Sequence, residues 1–398
     1  MSQSVGIVGA GLMGRLLALA LAERGWQVSL FDKDDASVIN SCAYAGAGML
    51  SPISELESAE PLIARLGFDS LPRWKHRLQH LELPVYFKTL GTIIVAHHLD
   101  LPDLAHFKRM LQGKLSLCSS EDVPEQTAHS IQWHLSSHQL AALEPQLSQR
   151  FSQGIFIPDE GQIDNRQLLR ALAHQLNQSG VNCYFKTPVT SMAAHTVISA
   201  TQHWQFDWAI DCRGLGGKPD WQSLRGVRGE IIKVHAPEVE LSRPIRLMHP
   251  RYPLYIAPRE NHQYVIGATS IESEDFRPIT TQSTMELLSA AFAVHEGFAE
   301  ATILESTVNC RPALSSHLPA IHMEAGLIRV NGLYRHGFLI SPQLVALVCA
   351  ALENQAIAPA YQALFSQPDF KKTESESTSE TITINTPFHP FNREATTV

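Results

Sequence analysis

The chain has 398 residues, with 31 Lys and Arg against 39 Asp and Glu and a formal charge of −8. That length exceeds what one hydrophobic core usually holds, so two closely packed domains are expected, and the absence of any basic run excludes a phosphate-neutralising surface for nucleic acid. Cys42, Cys118, Cys183, Cys212, Cys310 and Cys349 are scattered without a CxxC pair, as free thiols in a reducing compartment would be. The apolar stretch from Leu12 to Leu21 lacks a basic leader and a cleavage site and is interrupted by Arg15, and no run reaches membrane-spanning length. A cytoplasmic protein with no membrane partner is expected. His134 and His138 enclose only Leu-Ser-Ser and have no third ligand, so no metal is expected either.

In chain order, "SVGIVGAGLMGRLLALALAERGWQVSLFDKD" predicts strand, glycine turn, helix and strand, with Leu12, Leu16, Leu19 and Leu21 on a wide apolar face. Helical spacing dominates from about residue 53 to 80, and "PVYFKTLGTIIVAHH" predicts two strands turned at Gly91. A short helix and a polar linker follow. From about residue 154 the pattern is again strand, turn, a helix started by Asp164 or Asn165, a stop at Gly180, and strand; "WAIDCRG" adds another buried strand. Residues 225–270 hold three closely spaced strands without helices, which predicts an antiparallel sheet. An amphipathic helix over 283–295 leads through "TVNCRP" and "LIRVNGLYRHG" to a long apolar helix from about 342 to 354. The last thirty residues are rich in Ser, Thr and Glu, a disordered composition.

The predicted fold is α/β (α+β), with a Rossmann-like domain of residues 1–80, 150–220 and 310–365 interleaved with an antiparallel-sheet domain of residues 81–149 and 221–309. Residues 366–398 form the expected tail.

Gly9, Gly11 and Gly14 make G-x-G-x-x-G between a strand and a helix, and Asp32 ends the next strand. The first glycine permits the turn, the second lets backbone approach a pyrophosphate, the third allows close packing, and the acid suits ribose hydroxyls. NAD and FAD share this pattern. The run "SCAYAGAGML" over 41–50 is nearly all small residues, which fits either backbone lying against a large flat cofactor or a tightly packed helix start. Tyr255, Arg311 and Arg335 sit in apolar, strand-like surroundings, and Tyr334 and His336 flank Arg335 between Gly332 and Gly337. A guanidinium in such a place serves a structural ion pair or clamps a carboxylate.

With "RLMHPRYPLYIAPR", "YVIGATSIES" and "NGLYRHGFLISP", residues 1–365 resemble the FAD-dependent D-amino-acid oxidase family, specifically its glycine oxidases of thiamine biosynthesis. The resemblance implies non-covalent FAD held by Gly9, Gly11, Leu12, Met13, Gly14, Asp32 and Lys33, by Ala43, Tyr44, Gly48, Met49 and Leu50, by Val189, and by Tyr334, Arg335, His336, Gly337, Phe338 and Leu339. It implies Arg311 as the substrate-carboxylate clamp, Tyr255 as a pocket residue helping it, and Arg335 reaching toward substrate, these three forming the catalytic set. Ser316, Cys310, Ser270 and Pro253 depart from residues common in relatives, which bears on substrate range. Glycine oxidation with oxygen as acceptor is the expected activity, with sarcosine or small D-amino acids as further substrates, a homo-oligomer, and a thiazole-synthesis partner. A dehydrogenase using another acceptor and a flavin-binding assembly factor are the alternatives.

Overall fold

The computed structural model describes residues 2–147, 150–248 and 254–365; Pro253 and the expected tail lie outside them. Two large sheets organise the chain. In the first, the strand Ser4–Val8, buried from Val5 onward, lies between Gln27–Phe31 and Trp208–Asp211, parallel to both. The full order is Ala320–Glu324, Leu327–Asn331, Trp208–Asp211, Ser4–Val8, Gln27–Phe31, Asn182–Tyr184, and only the first strand runs antiparallel to its neighbour. Helices Leu12–Ala22, Asn165–Gln178 and Gly337–Leu352 share one apolar core with this sheet, as strands buried on both faces require.

The second sheet has eight strands: Thr302–Ala313, Arg225–His235, Gln263–Gly267, Leu254–Pro258, Ile245–Leu247, Thr92–Val95, Gln153–Ile157 and Gln132–Ser136. All neighbours are antiparallel except Ile245–Leu247 with Thr92–Val95. The three strands expected between residues 225 and 270 are therefore present and antiparallel. No helix of the described residues is long and apolar enough to cross a membrane.

Three local expectations change. The strands beside Gly91 do not pair with each other: Phe87–Lys88 joins Gly161–Ile163 and Met49–Leu50 in a small sheet, while the wholly buried Thr92–Val95 enters the eight-stranded one. Gly91, at φ 81°, makes a corner so close to Phe156 that a Cβ there would stand 2.4 Å from its ring. The strand Gln153–Ile157, grouped by sequence with the Rossmann-like segments, pairs with Thr92–Val95, and Thr302–Ala313 runs unbroken through the expected boundary at 310. The long apolar helix begins at Gly337 rather than near 342. Pro342 lacks the N–H that would bond the Phe338 carbonyl, and the Trp74 indole N–H donates to that carbonyl instead, at 2.7 Å.

Candidate active site

The glycine turn is fixed by contacts that only glycine allows. Gly9 has φ 101°, and a Cβ there would lie 2.5 Å from the Cys212 carbonyl oxygen; a Cβ at Gly14 would lie 1.8 Å from the Gly9 oxygen. At Gly11 a Cβ would meet nothing, so the turn is open on that side. Asp32 braces the turn, accepting from Ala10 N at 2.5 Å and Asp34 N at 2.9 Å. Behind it the fully buried Arg15 donates to the carbonyls of Ala10, Leu169 and Ala36 at 2.6–2.7 Å, and burial pushes its pKa down to about 10. The helix that starts at Leu12 has neither a side-chain cap nor an acid in its first turn, which leaves its N–H groups for an anion.

One cavity of about 490 Å³ joins this turn to the eight-stranded sheet. Its walls include Gly9, Gly11, Leu12 and Met13, then Asp32 and Lys33, then Ala43, Gly48 and Met49, with Val189. Tyr255, Arg311, Tyr334, Arg335, Gly337 and Phe338 complete it. Gly14, Tyr44, Leu50, His336 and Leu339 lie behind the wall. Leu50 and Leu339 are core residues, and Tyr44 lies under the Arg166 guanidinium, 3.4 Å from its ring centre. The small-residue loop is tied from behind by Asn165, which donates to the Ala43 and Tyr44 carbonyls at 3.0 and 2.8 Å. Gly48, at φ 64°, packs against Ile163, where a Cβ would meet the carbonyl oxygen at 2.0 Å. These residues fit FAD: an uncapped helix start and the open face at Gly11 suit a pyrophosphate, and the backbone-lined loop and the open side of Gly337 leave room for a flat ring system.

At the far wall Arg311 projects from Thr302–Ala313 across the neighbouring strand, where Gly229 makes the space: a Cβ at Gly229 would stand 2.3 Å from the guanidinium. Arg311 donates to the Thr269 carbonyl at 3.1 Å and has no carboxylate partner among the described residues. Burial pushes its pKa down. Arg335, by contrast, is engaged: its Nε lies 2.7 Å from Glu55 Oε2, and its guanidinium also donates to Ser58. Tyr255 donates to the other Glu55 oxygen at 3.5 Å, and His336 Nδ1 lies 3.7 Å from the carboxylate. Burial pushes the Tyr255 phenol well up and pushes His336 down to about 4, so one remains a donor and the other neutral near pH 7. Burial raises the Glu55 carboxyl, yet Arg335, Arg246 and Arg311 together hold it below its usual value.

Sequence reasoning missed Glu55, Gly229 and Thr269. Gly229 was signalled by a glycine inside the strand pattern "GVRGEIIKV", which marks close approach of another group. Glu55, in "SELES", has the look of a solvated helix start and gave no such signal.

A family model described as FAD dependent oxidoreductase matches residues 4–351. Over 351 residues the chain is 36% identical to a Rhizobium etli protein provisionally named thiamine biosynthesis oxidoreductase ThiO, covering 88% of this chain and 97% of that one. It is 25% identical over 380 residues to glycine oxidase of Geobacillus kaustophilus, covering 89% of this chain and 94% of that one. A crystal structure of glycine oxidase from that organism superimposes with a TM-score of 0.77 at 24% identity, over 92% of this chain and 99% of the other. The bifunctional protein ThiO/ThiG of Trichormus variabilis is 24% identical over 379 residues, covering 90% of this chain but 54% of that protein. Because the family match takes in the glycine turn, Arg311 and Arg335 together, the chain belongs to the FAD dependent oxidoreductase (DAO) family.

Proposed function

We propose that this FAD-dependent oxidoreductase oxidises glycine, consuming oxygen and water and releasing glyoxylate, ammonia and hydrogen peroxide. The observation that carries this reading is Arg311, a half-buried guanidinium on the cavity wall, bonded to one carbonyl and left without a carboxylate contact among the described residues. A guanidinium drawn partly out of water without an ion partner is costly, and a substrate carboxylate is its bidentate complement. Tyr255, kept protonated by burial, is a second donor on the same cavity. The name of the Geobacillus relative, glycine oxidase, supports a small amino acid as substrate, and that of the Rhizobium relative supports a role in thiamine biosynthesis.

In this proposal Gly9, Gly11, Leu12, Met13, Asp32, Lys33 and Val189 hold the nucleotide half of FAD, and Ala43, Gly48, Met49 and the Tyr334–Phe338 segment hold the ring. When bound, FAD supplies the two-electron acceptor for the α-carbon hydrogen. Arg311 and Tyr255 fix the carboxylate and thereby the direction of the α-carbon, so orientation provides most of the protein's contribution. No side-chain base is assigned: His336 stands behind the wall. The first sheet serves the cofactor and the second the substrate. Fusion of a chain of this kind in the ThiO/ThiG relative supports a handover of product to a thiazole-forming partner.

The test is the visible spectrum of the purified protein during anaerobic addition of glycine. Bleaching of the flavin band, reversed by air with release of peroxide, is expected. Reversal only by an artificial dye would place the protein among dehydrogenases, and a band indifferent to glycine would remove the substrate assignment. Arg311→Ala should retain the flavin band and lose roughly 100-fold in kcat/KM for glycine, the scale of losing one partner of a buried charge pair.

A further inference from the structure

The cavity wall carries two arginines, Arg311 and Arg335, and one nearby acid, Glu55, on the side away from the nucleotide residues. The two arginines are not equivalent. Arg311 has a carbonyl for company, whereas Arg335 is held by Glu55 at 2.7 Å and by Ser58. The Glu55 side chain is 12% exposed and that of Arg335 20%, so solvent does little to screen the pair. Its remaining neighbours do not replace Arg335: Arg246 is committed to Glu57 and the Ser54 carbonyl, Arg311 acts on it through space without an ion-pair contact, His336 is neutral, and Tyr255 is an uncharged donor. Glu55 is carried on the short turn Ser54–Glu57, which Glu160 ties down through Ile53 N at 3.0 Å, Ser54 N at 2.6 Å and the Ser54 hydroxyl at 2.7 Å. The backbone that carries the acid is therefore held beside Arg335.

We infer that Glu55 sets the charge of the accepted substrate: by occupying Arg335 it leaves Arg311 as the single carboxylate clamp and repels a second carboxylate. The inference rests on the amino-acid reading above and adds a rule of selection to it. Like-charge juxtaposition is an established means of rejecting a wrong ligand. Removing the Glu55 charge would release Arg335 as a second clamp and open the cavity to dicarboxylates.

Propionate and malonate have the same chain length and differ by one carboxylate, so they isolate the charge. Each is titrated into the FAD-loaded protein and its dissociation constant read from perturbation of the flavin absorption band. The wild type should bind propionate at least tenfold more tightly than malonate. Glu55→Gln should shift that ratio at least tenfold toward malonate, and the double variant E55Q/R335Q, which removes the pair together, should return it to propionate. A ratio in E55Q within twofold of the wild type, or a double variant that keeps the malonate gain, overturns the inference. Should E55Q fail to retain flavin, Arg335→Gln alone decides: with Glu55 uncompensated, propionate binding should weaken at least tenfold, and unchanged binding overturns the inference. Glycine bleaching of the wild type is scored separately. Its failure beside a shifted ratio sinks the substrate reading and leaves the charge rule, while its success beside an unshifted ratio does the reverse.

Discussion

Arg311 and Gly229 work as one unit across two hydrogen-bonded strands, since the guanidinium occupies the volume a side chain at 229 would fill. Gly229→Ala should therefore displace the clamp without touching the cofactor wall: KM for glycine is expected to rise at least about tenfold, with kcat changed less and the flavin spectrum unaltered. A spectrum that changes with KM would mean that the strand itself had moved. Arg311, Tyr255 and Arg335 stood out in the sequence as polar groups in apolar surroundings, but that pattern fits a structural ion pair as well, and only the family resemblance pointed them to substrate. Glu55 did not stand out, because its environment is made by chain segments far apart in sequence and its own neighbours are polar. Arg15 reads as an interruption of an apolar helix, yet it is wholly buried with three carbonyls around it; nothing in the local pattern distinguishes a satisfied buried arginine from a solvated one.

At the scale of elements, the helix Gly337–Leu352 shows how a proline misleads. Proline favours the first turn of a helix, so Pro342 reads as a start, but here the helix continues around it because Trp74 serves the carbonyl that Pro342 leaves unbonded. That carries the preceding residues onto the helix, with Gly337, Phe338 and Ser341 at the cavity wall. Trp74→Phe should cost about 1–3 kcal/mol, the penalty of an unsatisfied buried acceptor, measurable by urea unfolding of the flavin-loaded protein. A loss under about 0.5 kcal/mol would show that water or a shifted helix replaces the indole. The Asp164 cap was legible, and its carboxylate accepts from Arg166 N and Gln167 N at 2.9 Å. Trp74 as the partner of a carbonyl within another helix was not, since its bond spans most of the chain.

For the whole molecule, alternation between helical spacing and closely spaced strands revealed two interleaved architectures, but not which sheet each short strand enters. Gln153–Ile157 could pair in either by pattern alone. Glu160, between the strands Gln153–Ile157 and Gly161–Ile163, also shapes the response to pH. Glu160 is fully buried, and burial, opposed by bonds from Ser54 and Ile53, raises its pKa to about 7. The folded state thus binds this proton more tightly than the unfolded chain. Its stabilising contribution is complete below about pH 4.5 and is lost as pH rises through about 7, on the order of 3 kcal/mol. Glu160→Gln should flatten stability across that window, and an unchanged pH profile in denaturant unfolding would assign the dependence elsewhere. The interleaving has a further consequence for synthesis. The eight-stranded sheet draws on residues 92–95, 132–157 and 225–313, and the six-stranded sheet is completed only by 320–331. On the ribosome neither can close before the last quarter of the chain begins to emerge, so the nascent polypeptide carries two unfinished sheet edges through most of its translation and must be kept from pairing with others until then.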